Sequence, residues 1–517
     1  MASLATLPIE ILDQICTILS PYRRPYSIRV FKPSIKEEPT KNDHQGTRAL
    51  LNLCQTSKAL CKVAQPVVFH TFFDHENYST SIPLGFLKRL GLLLRTIAER
   101  PELAEAVRAV DVDACERKCQ CCYSFDEQVK EQMGWISELS ARTALEFNLW
   151  HWESREISEA QLQALLVMVP NLQRLNLRLP VTWDFEALAA WVNRKKSETG
   201  IAQKFLHTVT HMELGTDTVE ANTPRMREDG ERDESFKSSP NPVERLLIEA
   251  APNLELLCCT AGGLDDLPRL PSLTSLQVLL HAPWDGMLPR LMEGLPRLKR
   301  FSYSALSDYC PTPAEVQDAL LPLRDTLEYL CIRTQSHFPE DWVPQPGRRF
   351  LMTPLKDFSA LRVLVLDGFA VLPHRGVGEM WDSDGELFLD FLPPSLAQLH
   401  VSGWNSHSSA QFRPLGEAMA RSEFPCLEIV SWFTESDPDG CFFYALDPPS
   451  AARYGEGIGV PSDVWRRICD EDSHSFPDWK AAHQHVVSTE YPGLTMVEAQ
   501  EIFYQLQNQQ KGEDEAL

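Results

Sequence analysis

A group of four cysteines has the spacing that best fits metal chemistry in this sequence. The group consists of Cys115, Cys119, Cys121 and Cys122, and thiolates this close together can ligate zinc. A closed structural zinc site usually combines two separated pairs of ligands, and the sequence contains no second Cys-x-x-Cys pair. The segment 115–122 therefore predicts either a zinc ligand set or a loop with reduced thiols, and we expect the loop.

A second group of metal-binding residue types lies near the C-terminus. Cys469, His474, His483 and His485 are spaced more loosely than the ligands of known zinc motifs, so histidines on a solvated helix surface explain them equally simply. Nucleotide-binding, serine-hydrolase and zinc-protease motifs are missing from the sequence. We therefore expect no cofactor and no enzymatic activity; the alternative is an enzyme with an unrecognised site in residues 441–517.

Composition restricts the partners that the chain can have. The 517 residues include 72 acidic and 49 basic side chains, a formal net charge of −23, which disfavours nucleic-acid binding because phosphate contacts need excess Lys and Arg. The first residues lack the pattern of a signal peptide, and there is no apolar run of about 18 residues. We expect an intracellular protein of the cytoplasm or nucleus, with reduced cysteines and without a membrane partner.

A short motif, Pro-x-Leu-x-x-apolar, recurs through the middle of the chain and predicts a repeat array. Each copy continues with apolar residues at every second position, the pattern of a strand with one buried face. Proline ends the preceding segment because it lacks an N–H and disfavours helix for its neighbour. The copies begin at Pro170, Pro252, Pro271, Pro296, Pro394 and Pro425; related segments without proline lie at 107–112, 209–214, 326–332 and 360–366.

Helical segments precede several of the predicted strands. Ser158 and Gln161 fit a capping box that begins a helix ending before Pro170, and residues 313–323 form a comparable segment. Strands that alternate with helices at a spacing of about thirty residues predict a parallel sheet lined by helices. The fold class is therefore α/β.

The first seventy residues predict helices. Residues 7–21 have apolar side chains at three- and four-residue spacing over more than half of the helix circumference. A second apolar pattern, residues 48–73, is divided by Ser57, which can cap a helix that ends near Pro66. A helix that is apolar so far round needs burial on two sides, which favours a unit with both an internal core and a docking face. A simple helical cap on the following domain is the alternative.

These residues resemble the F-box, a three-helix domain that binds the Skp adaptor of cullin-based ubiquitin ligases. The resemblance rests on Leu7-Pro8, on Ser57-Lys58 and on the apolar residues around them, and it covers about seventy residues. Residues 22–47 are longer than the family's usual connection and predict an exposed loop. By this resemblance the adaptor would bind Leu7, Pro8, Ile11, Leu12, Ile15, Leu19, Leu50, Leu53 and Leu60.

The remaining chain resembles the irregular leucine-rich repeats that are common in F-box proteins. The asparagine expected nine residues into each repeat is missing, so regular turns are not expected. The predicted order is an F-box-like domain 1–73, linker helices 74–105, an irregular repeat solenoid 106–440 with a disordered loop at 222–242, and a C-terminal cap 441–517.

The outward-facing strand positions of such a solenoid form its recognition surface. Arginines there, in an otherwise acidic chain, predict binding of an acidic or phosphorylated protein segment; the alternative is a solvated face with incidental charges. The expected substrate-binding residues are Arg174, Arg178, Arg300, Tyr329, Arg333 and His400. The resemblance as a whole implies a non-catalytic substrate receptor of a ligase with Skp and cullin partners and an unknown protein substrate. The alternative is a scaffold acting outside a ligase.

Overall fold

A computed structural model of the chain divides into two compact units, Met1–Leu298 and Lys299–Leu517. The structure describes residues 7–20, 41–75, 84–113, 126–147, 154–179, 183–199, 205–216, 242–260, 269–280, 287–305, 310–334, 351–367, 370–371, 389–402, 415, 418, 421–427, 429–433 and 441–445.

The first unit begins with three helices and continues as alternating strands and helices. In chain order its elements are α1 (Ile9–Leu19), α2 (Lys41–Thr56), α3 (Lys58–Val68), β1 (Thr71–His75), α4 (Leu84–Glu99), α5 (Pro101–Ala104), β2 (Ala109–Asp113), α6 (Asp126–Thr143), α7 (Ser154–Met168), β3 (Arg174–Leu179), α8 (Glu186–Thr199), β4 (His211–Thr216), α9 (Pro242–Glu249), β5 (Leu256–Thr260), β6 (Ser275–Leu280) and α10 (Met287–Glu293).

The second unit has fewer helices among its described residues. Its elements are β7 (Arg300–Ala305), α11 (Pro313–Leu320), β8 (Tyr329–Thr334), β9 (Val363–Asp367), β10 (Gln398–Ser402), β11 (Ile429–Phe433) and β12 (Cys441–Ala445), and a 3₁₀ turn, Leu321–Leu323, follows α11.

Within each unit, neighbouring strands are consecutive in sequence. Strands β1 to β6 pair in parallel in the first unit, and β7 to β11 do so in the second, where β12 pairs antiparallel to β11. The predicted α/β fold with a parallel sheet is confirmed. Strand β1 was not expected from the sequence.

Each proline of the repeated motif lies four residues before a strand instead of at its start, as Pro252 does before Leu256. The motif forms a tight turn: the carbonyl of the residue before proline accepts a hydrogen bond from the N–H of the motif leucine. This bond joins Ala251 to Leu254 at 3.2 Å and Leu295 to Leu298 at 3.1 Å. Proline occupies the second turn position, which its fixed φ favours.

A backbone ladder continues directly from these turns. The carbonyl of the residue after the motif leucine accepts hydrogen bonds from two successive N–H groups of the next turn, at 2.7–3.2 Å. The acceptors are His70, Arg108, Gln173, Thr210 and Glu255 in the first unit, and Lys299, Glu328 and Arg362 in the second. The ladder fixes the strand register before each strand begins.

Polar side chains directly after the proline position add a second ladder. Asn171 Nδ2 donates to the carbonyl of Glu105 at 2.9 Å, and Asn253 Nδ2 donates to that of His207 at 2.8 Å. Thr208 and Ser395 donate in the same way to Leu172 and Leu361, at 2.6 and 2.8 Å. This ladder lies in the turns before the strands; the position where asparagine was expected, nine residues into the repeat, falls outside the described residues in the copies at Gly262, Gln335, Phe369 and Trp404.

The apolar positions of each repeat form rows in the interior. Three positions of each repeat lie in these rows: the motif leucine and the residues three and five positions after it. They are almost fully buried, as Leu254, Leu257 and Cys259 are in one repeat. The same holds in the second unit for Leu361, Leu364 and Leu366. The predicted alternation of buried positions is observed in β3 of the first unit. In β7, β8 and β9 of the second unit the intervening residues are mostly buried as well.

Helix beginnings depend on polar contacts that differ from those expected. Helix α7 begins at Ser154, so Ser158 lies inside it, buried, and the predicted capping box there is wrong. Instead, Glu159 of α7 accepts a hydrogen bond from the N–H of Phe185 at 2.8 Å, just before α8. A capping box does begin α11, where Thr312 and Glu315 bond reciprocally.

Several predicted features lie outside the described residues. They are the cysteine group 115–122, most of the predicted loop 222–242, the group from Cys469 to His485, and the predicted cap beyond residue 445.

We predict that Gln317→Ala lowers the free energy of unfolding by about 2 kcal/mol, since a buried amide and its packing are lost. Gln317 is almost fully buried, and its side-chain amide bonds both backbone groups of Thr353, at 2.9 and 2.7 Å. The measurement is urea unfolding of the full chain. Lys356→Ala, which removes an exposed ion pair with Asp390, is the control and should change stability by less than about 1 kcal/mol. An equal loss in the free energy of unfolding for both variants would contradict a stabilising role for the buried Gln317 amide.

Candidate functional site

The three N-terminal helices enclose a small core of their own. Cys16 of α1, Leu50 of α2, and Ala64 and Val67 of α3 are buried together. Helix α3 begins as predicted, with Ser57 accepting a hydrogen bond from the N–H of Leu60 at 3.2 Å. The helix continues to Val68, past Pro66, where the sequence predicted its end.

Gly46 permits the close approach of α1 and α2. A Cβ atom at this position would collide with the carbonyl oxygen of Leu19. Gly46 lies inside α2, so residues 41–47 are helical, and the prediction that the whole of 22–47 is a loop is wrong over this part; residues 22–40 lie outside the described ranges. Glycine in a helix lowers its stability, so close packing is the physical reason for it here.

Helix α1 also presents apolar side chains to solvent. Ile11 is 41% exposed and Ile18 is 73% exposed, and half-buried Ile15 lies between them at helical spacing, so the three form one stripe. We call Ile11, Ile15 and Ile18 the α1 stripe. Ile9 and, on α2, Leu51 are also exposed, by 63% and 46%. The three N-terminal helices therefore have both an internal core and an outer apolar surface.

The structure divides the predicted adaptor-binding residues into two groups. Leu12, Leu50 and Leu60 are buried in the chain itself, so they position the helices and do not form a docking surface. Pro8 and Ile11 are exposed, and Leu7, Ile15, Leu19 and Leu53 are half-buried. The predicted set lacked Ile9, Ile18 and Leu51. The wide apolar arc of α1 was the sequence signal that could have indicated Ile9 and Ile18.

The outward face of the first unit's sheet carries polar residues in register. Arg174, Asn176 and Arg178 alternate on β3 and are half-buried, and Asn176 pairs with Asp111 on one side and Glu213 on the other. Asp113 is also in register with Arg178, so three acidic residues accompany the two arginines and this part of the face has no positive excess.

Arg178 of β3 lies beside Gly215 of the neighbouring strand. A Cβ atom at Gly215 would lie 3.7 Å from Cγ and Nε of Arg178, an ordinary van der Waals contact, so the Arg178 side chain packs over this position. Burial and the Glu213 charge raise the pKa of the neighbouring Cys258 thiol, while Arg178 opposes that shift. Burial and the charge of Arg174 lower the pKa of His211 on the same face. The thiol and the imidazole are therefore held neutral beside the arginines.

The corresponding face of the second unit is more enclosed than the sequence predicted. Tyr329 and His400 are each only 7% exposed, and Cys331 and Val365, which are in register with His400 on the two preceding strands, are fully buried. The expectation that Tyr329 and His400 form an exposed recognition surface is therefore wrong. Strand alternation shows which face a side chain is on, but it does not show whether that face is covered.

Arg300 and Arg333 remain accessible on that face to different degrees. Arg300 is exposed and its guanidinium carbon lies 5.1 Å from the centre of the Tyr329 ring, a cation–π contact. Arg333 is half-buried. Burial raises the pKa of the Tyr329 hydroxyl and of the Cys331 thiol, so both groups stay protonated and provide no charge for catalysis.

Within the described ranges, no group of three or more His, Cys, Asp or Glu side chains is arranged to hold a metal ion. None of the described helices combines the length and apolar character that crossing a bilayer requires. Neither a protein-family model nor a curated protein sequence matches this chain.

We predict that Leu12→Gln and Ile18→Gln have very different effects on stability. At Leu12 the amide would enter the core without a partner, lowering the free energy of unfolding by about 2–4 kcal/mol. At Ile18 the side chain is already mostly in water, so the change should be within about 0.5 kcal/mol. Urea unfolding followed by circular dichroism measures both, and similar losses would mean that Ile18 is buried in solution.

Proposed function

We propose that this protein is a non-catalytic substrate receptor of a Skp–cullin ubiquitin ligase. In this proposal the three N-terminal helices are an F-box-like domain that binds the Skp adaptor, and the body with parallel strands is an irregular leucine-rich-repeat array that binds a protein substrate. The observation that carries the proposal is the α1 stripe, which stays exposed although the three helices already share a core.

An exposed apolar stripe beside a complete core favours a docked partner. Isolated exposed apolar side chains are ordinary on protein surfaces, but here three lie on one side of one helix and Leu51 is exposed on the next helix. Fully burying one such side chain contributes about 1.5–3 kcal/mol. Docking that covers Ile11 and Ile18 would therefore contribute several kcal/mol to binding.

The resemblance of the sequence to the F-box identifies the expected partner. The leucine-proline start lies directly before α1, and the Ser57-Lys58 pair forms the turn between α2 and α3. A receptor of this kind makes and breaks no bonds; it raises the effective concentration of the substrate near the ubiquitin-carrying enzyme. Cullin would join through the adaptor.

Substrate recognition is assigned to the strand positions that remain accessible. These are Arg174, Asn176 and Arg178 in the first unit and Arg300 and Arg333 in the second. Arginine forks bind carboxylate and phosphate groups in two-point geometry, which supports an acidic or phosphorylated segment as ligand. Asp111 and Glu213 on the same face would favour segments that also carry a basic residue.

We predict that replacing both Ile11 and Ile18 with Gln weakens binding of purified Skp adaptor at least about 100-fold, because about 3 kcal/mol of apolar burial is lost. Calorimetric titration measures the dissociation constant. Leu92→Gln, an equally exposed leucine on α4, is the matched control and should bind normally. Unchanged binding by the double variant would refute adaptor docking through this stripe. Adaptor binding without cullin in the reconstituted complex would instead favour the scaffold outside a ligase.

We predict that Arg174→Ser with Arg178→Ser reduces binding of acidic and phosphorylated peptides at least several-fold. The full chain is tested on a peptide array in which each acidic peptide has a Gln-substituted partner. Binding to the natural chain should fall with added salt, since screening weakens exposed charge contacts. Arg245→Ser on α9, which removes one positive charge from a helix, is the control. Equal binding of acidic and amide peptides would contradict the proposed ligand class.

A further inference from the structure

Charged residues on the outward face of the first unit's sheet form bands that run across the strands. Arg174, Asn176 and Arg178 of β3 are half-buried on this face, while the leucines between them are buried. In the strand register, Asp111 of β2 and Glu213 of β4 flank Asn176 on its two sides. Both acidic residues are half-buried and their neighbours along each strand are buried, so they lie on the same face as the arginines.

The sign of the charge changes from one band to the next along β3. The first band carries the Arg174 guanidinium, and the second carries the carboxylates of Asp111 and Glu213 on either side of Asn176. The third band carries Arg178. Asp113 is in register with Arg178, so the third band is less positive than the first.

The spacing of the bands equals the side-chain repeat of an extended peptide. Successive residues of a parallel strand rise by about 3.3 Å, so alternate side chains lie about 6.6 Å apart on one face. Positions 174, 176 and 178 follow this repeat because they lie on one strand. A segment that lies extended along β3 has the same repeat, so its alternate residues meet successive bands.

We infer that this face selects extended protein segments with an acidic, a basic and an acidic residue at every second position. The two acidic residues pair with the guanidiniums of Arg174 and Arg178, and the basic residue lies over Asn176 between Asp111 and Glu213. This order reads the same in both chain directions, so it does not depend on which way the segment runs. The inference rests on the proposed function, of which it specifies the substrate segment.

The two signs on the face disfavour a segment of uniform charge. The middle carboxylate of a wholly acidic segment would lie between Asp111 and Glu213, and like charges directly opposite each other destabilise a pairing. A wholly basic segment meets the same repulsion at Arg174 and Arg178. Because these side chains are half-buried, charge contacts there are stronger than in bulk water, and the penalty for a wrong sign grows accordingly.

Peptide binding to the full chain, measured by fluorescence anisotropy, tests the spacing. One peptide carries the core Glu-Ser-Lys-Ser-Glu, and the other carries Glu-Lys-Ser-Ser-Glu in the same Gly-Ser frame. The two peptides have equal composition and charge, but in an extended chain the lysine of the second one points away from the side that its glutamates share. We expect the first peptide to bind at least about fivefold more tightly, because opposite charges placed across from each other strengthen the pairing.

A double variant tests the residues that are assigned to the middle band. Asp111→Asn with Glu213→Gln keeps the side-chain shapes and removes both carboxylates. This variant should bind the two peptides equally, and it should bind Glu-Ser-Glu-Ser-Glu more tightly than the natural chain does. Glu138→Gln with Glu249→Gln, which removes two carboxylates from helices α6 and α9, is the control and should keep the preference.

The outcomes separate this inference from the proposed function. Equal binding of the two peptides of equal composition by the natural chain would overturn the inference and leave recognition of acidic segments standing. Failure of every acidic peptide to bind would overturn both. A preference that persists in the double variant would overturn the assignment to Asp111 and Glu213. The comparison on the natural chain needs no substitution, so it stays decisive even if the double variant does not fold.

Discussion

The stacking of one tight turn on the next is the interaction on which both sheets depend. In most repeats the N–H of the motif leucine bonds three residues back, as Leu254 does to Ala251, and the carbonyl of the next residue accepts two N–H groups from the following repeat. This arrangement sets the register before a strand starts, and every later contact follows from it. Buried rows align across strands, the Asn171 and Asn253 side chains reach the preceding turn, and Arg178 comes to lie over Gly215.

Local sequence patterns predicted the strands well because each strand is encoded by a few adjacent residues. The alternation around Leu175 and Leu177 predicts a strand with one buried face whatever the distant chain does, and β3 buries alternate residues. Features that depend on residues far apart were not predicted. The side-chain ladder is one example, since Asn253 bonds to His207, 46 positions away. The burial of Tyr329 and His400 is another example. Alternation predicts on which face of the sheet a side chain lies, but not whether other residues bury that face.

At the candidate site, too, local sequence could not predict a feature that depends on residues far apart. Periodicity predicted an α1 helix with a wide apolar arc, but it could not decide which part of the arc would face inward. That choice depends on how α2 and α3 pack, and Gly46 permits this packing by admitting the Leu19 carbonyl. Leu12 and Cys16 consequently point into the chain, and Ile11 and Ile18 point out of it. The proposed docking of the adaptor requires an apolar surface that stays exposed after the three helices have folded.

Hydrogen–deuterium exchange of the full chain, with and without purified Skp adaptor, tests this account most directly. Amide exchange reports local opening and solvent access, so it detects docking on the natural protein without substitutions. Docking through the α1 stripe should slow exchange in the peptide that covers α1 and in the part of α2 around Leu51, with no change in α9. Unchanged exchange in α1 at saturating adaptor would contradict the central claim, as would protection confined to the strands.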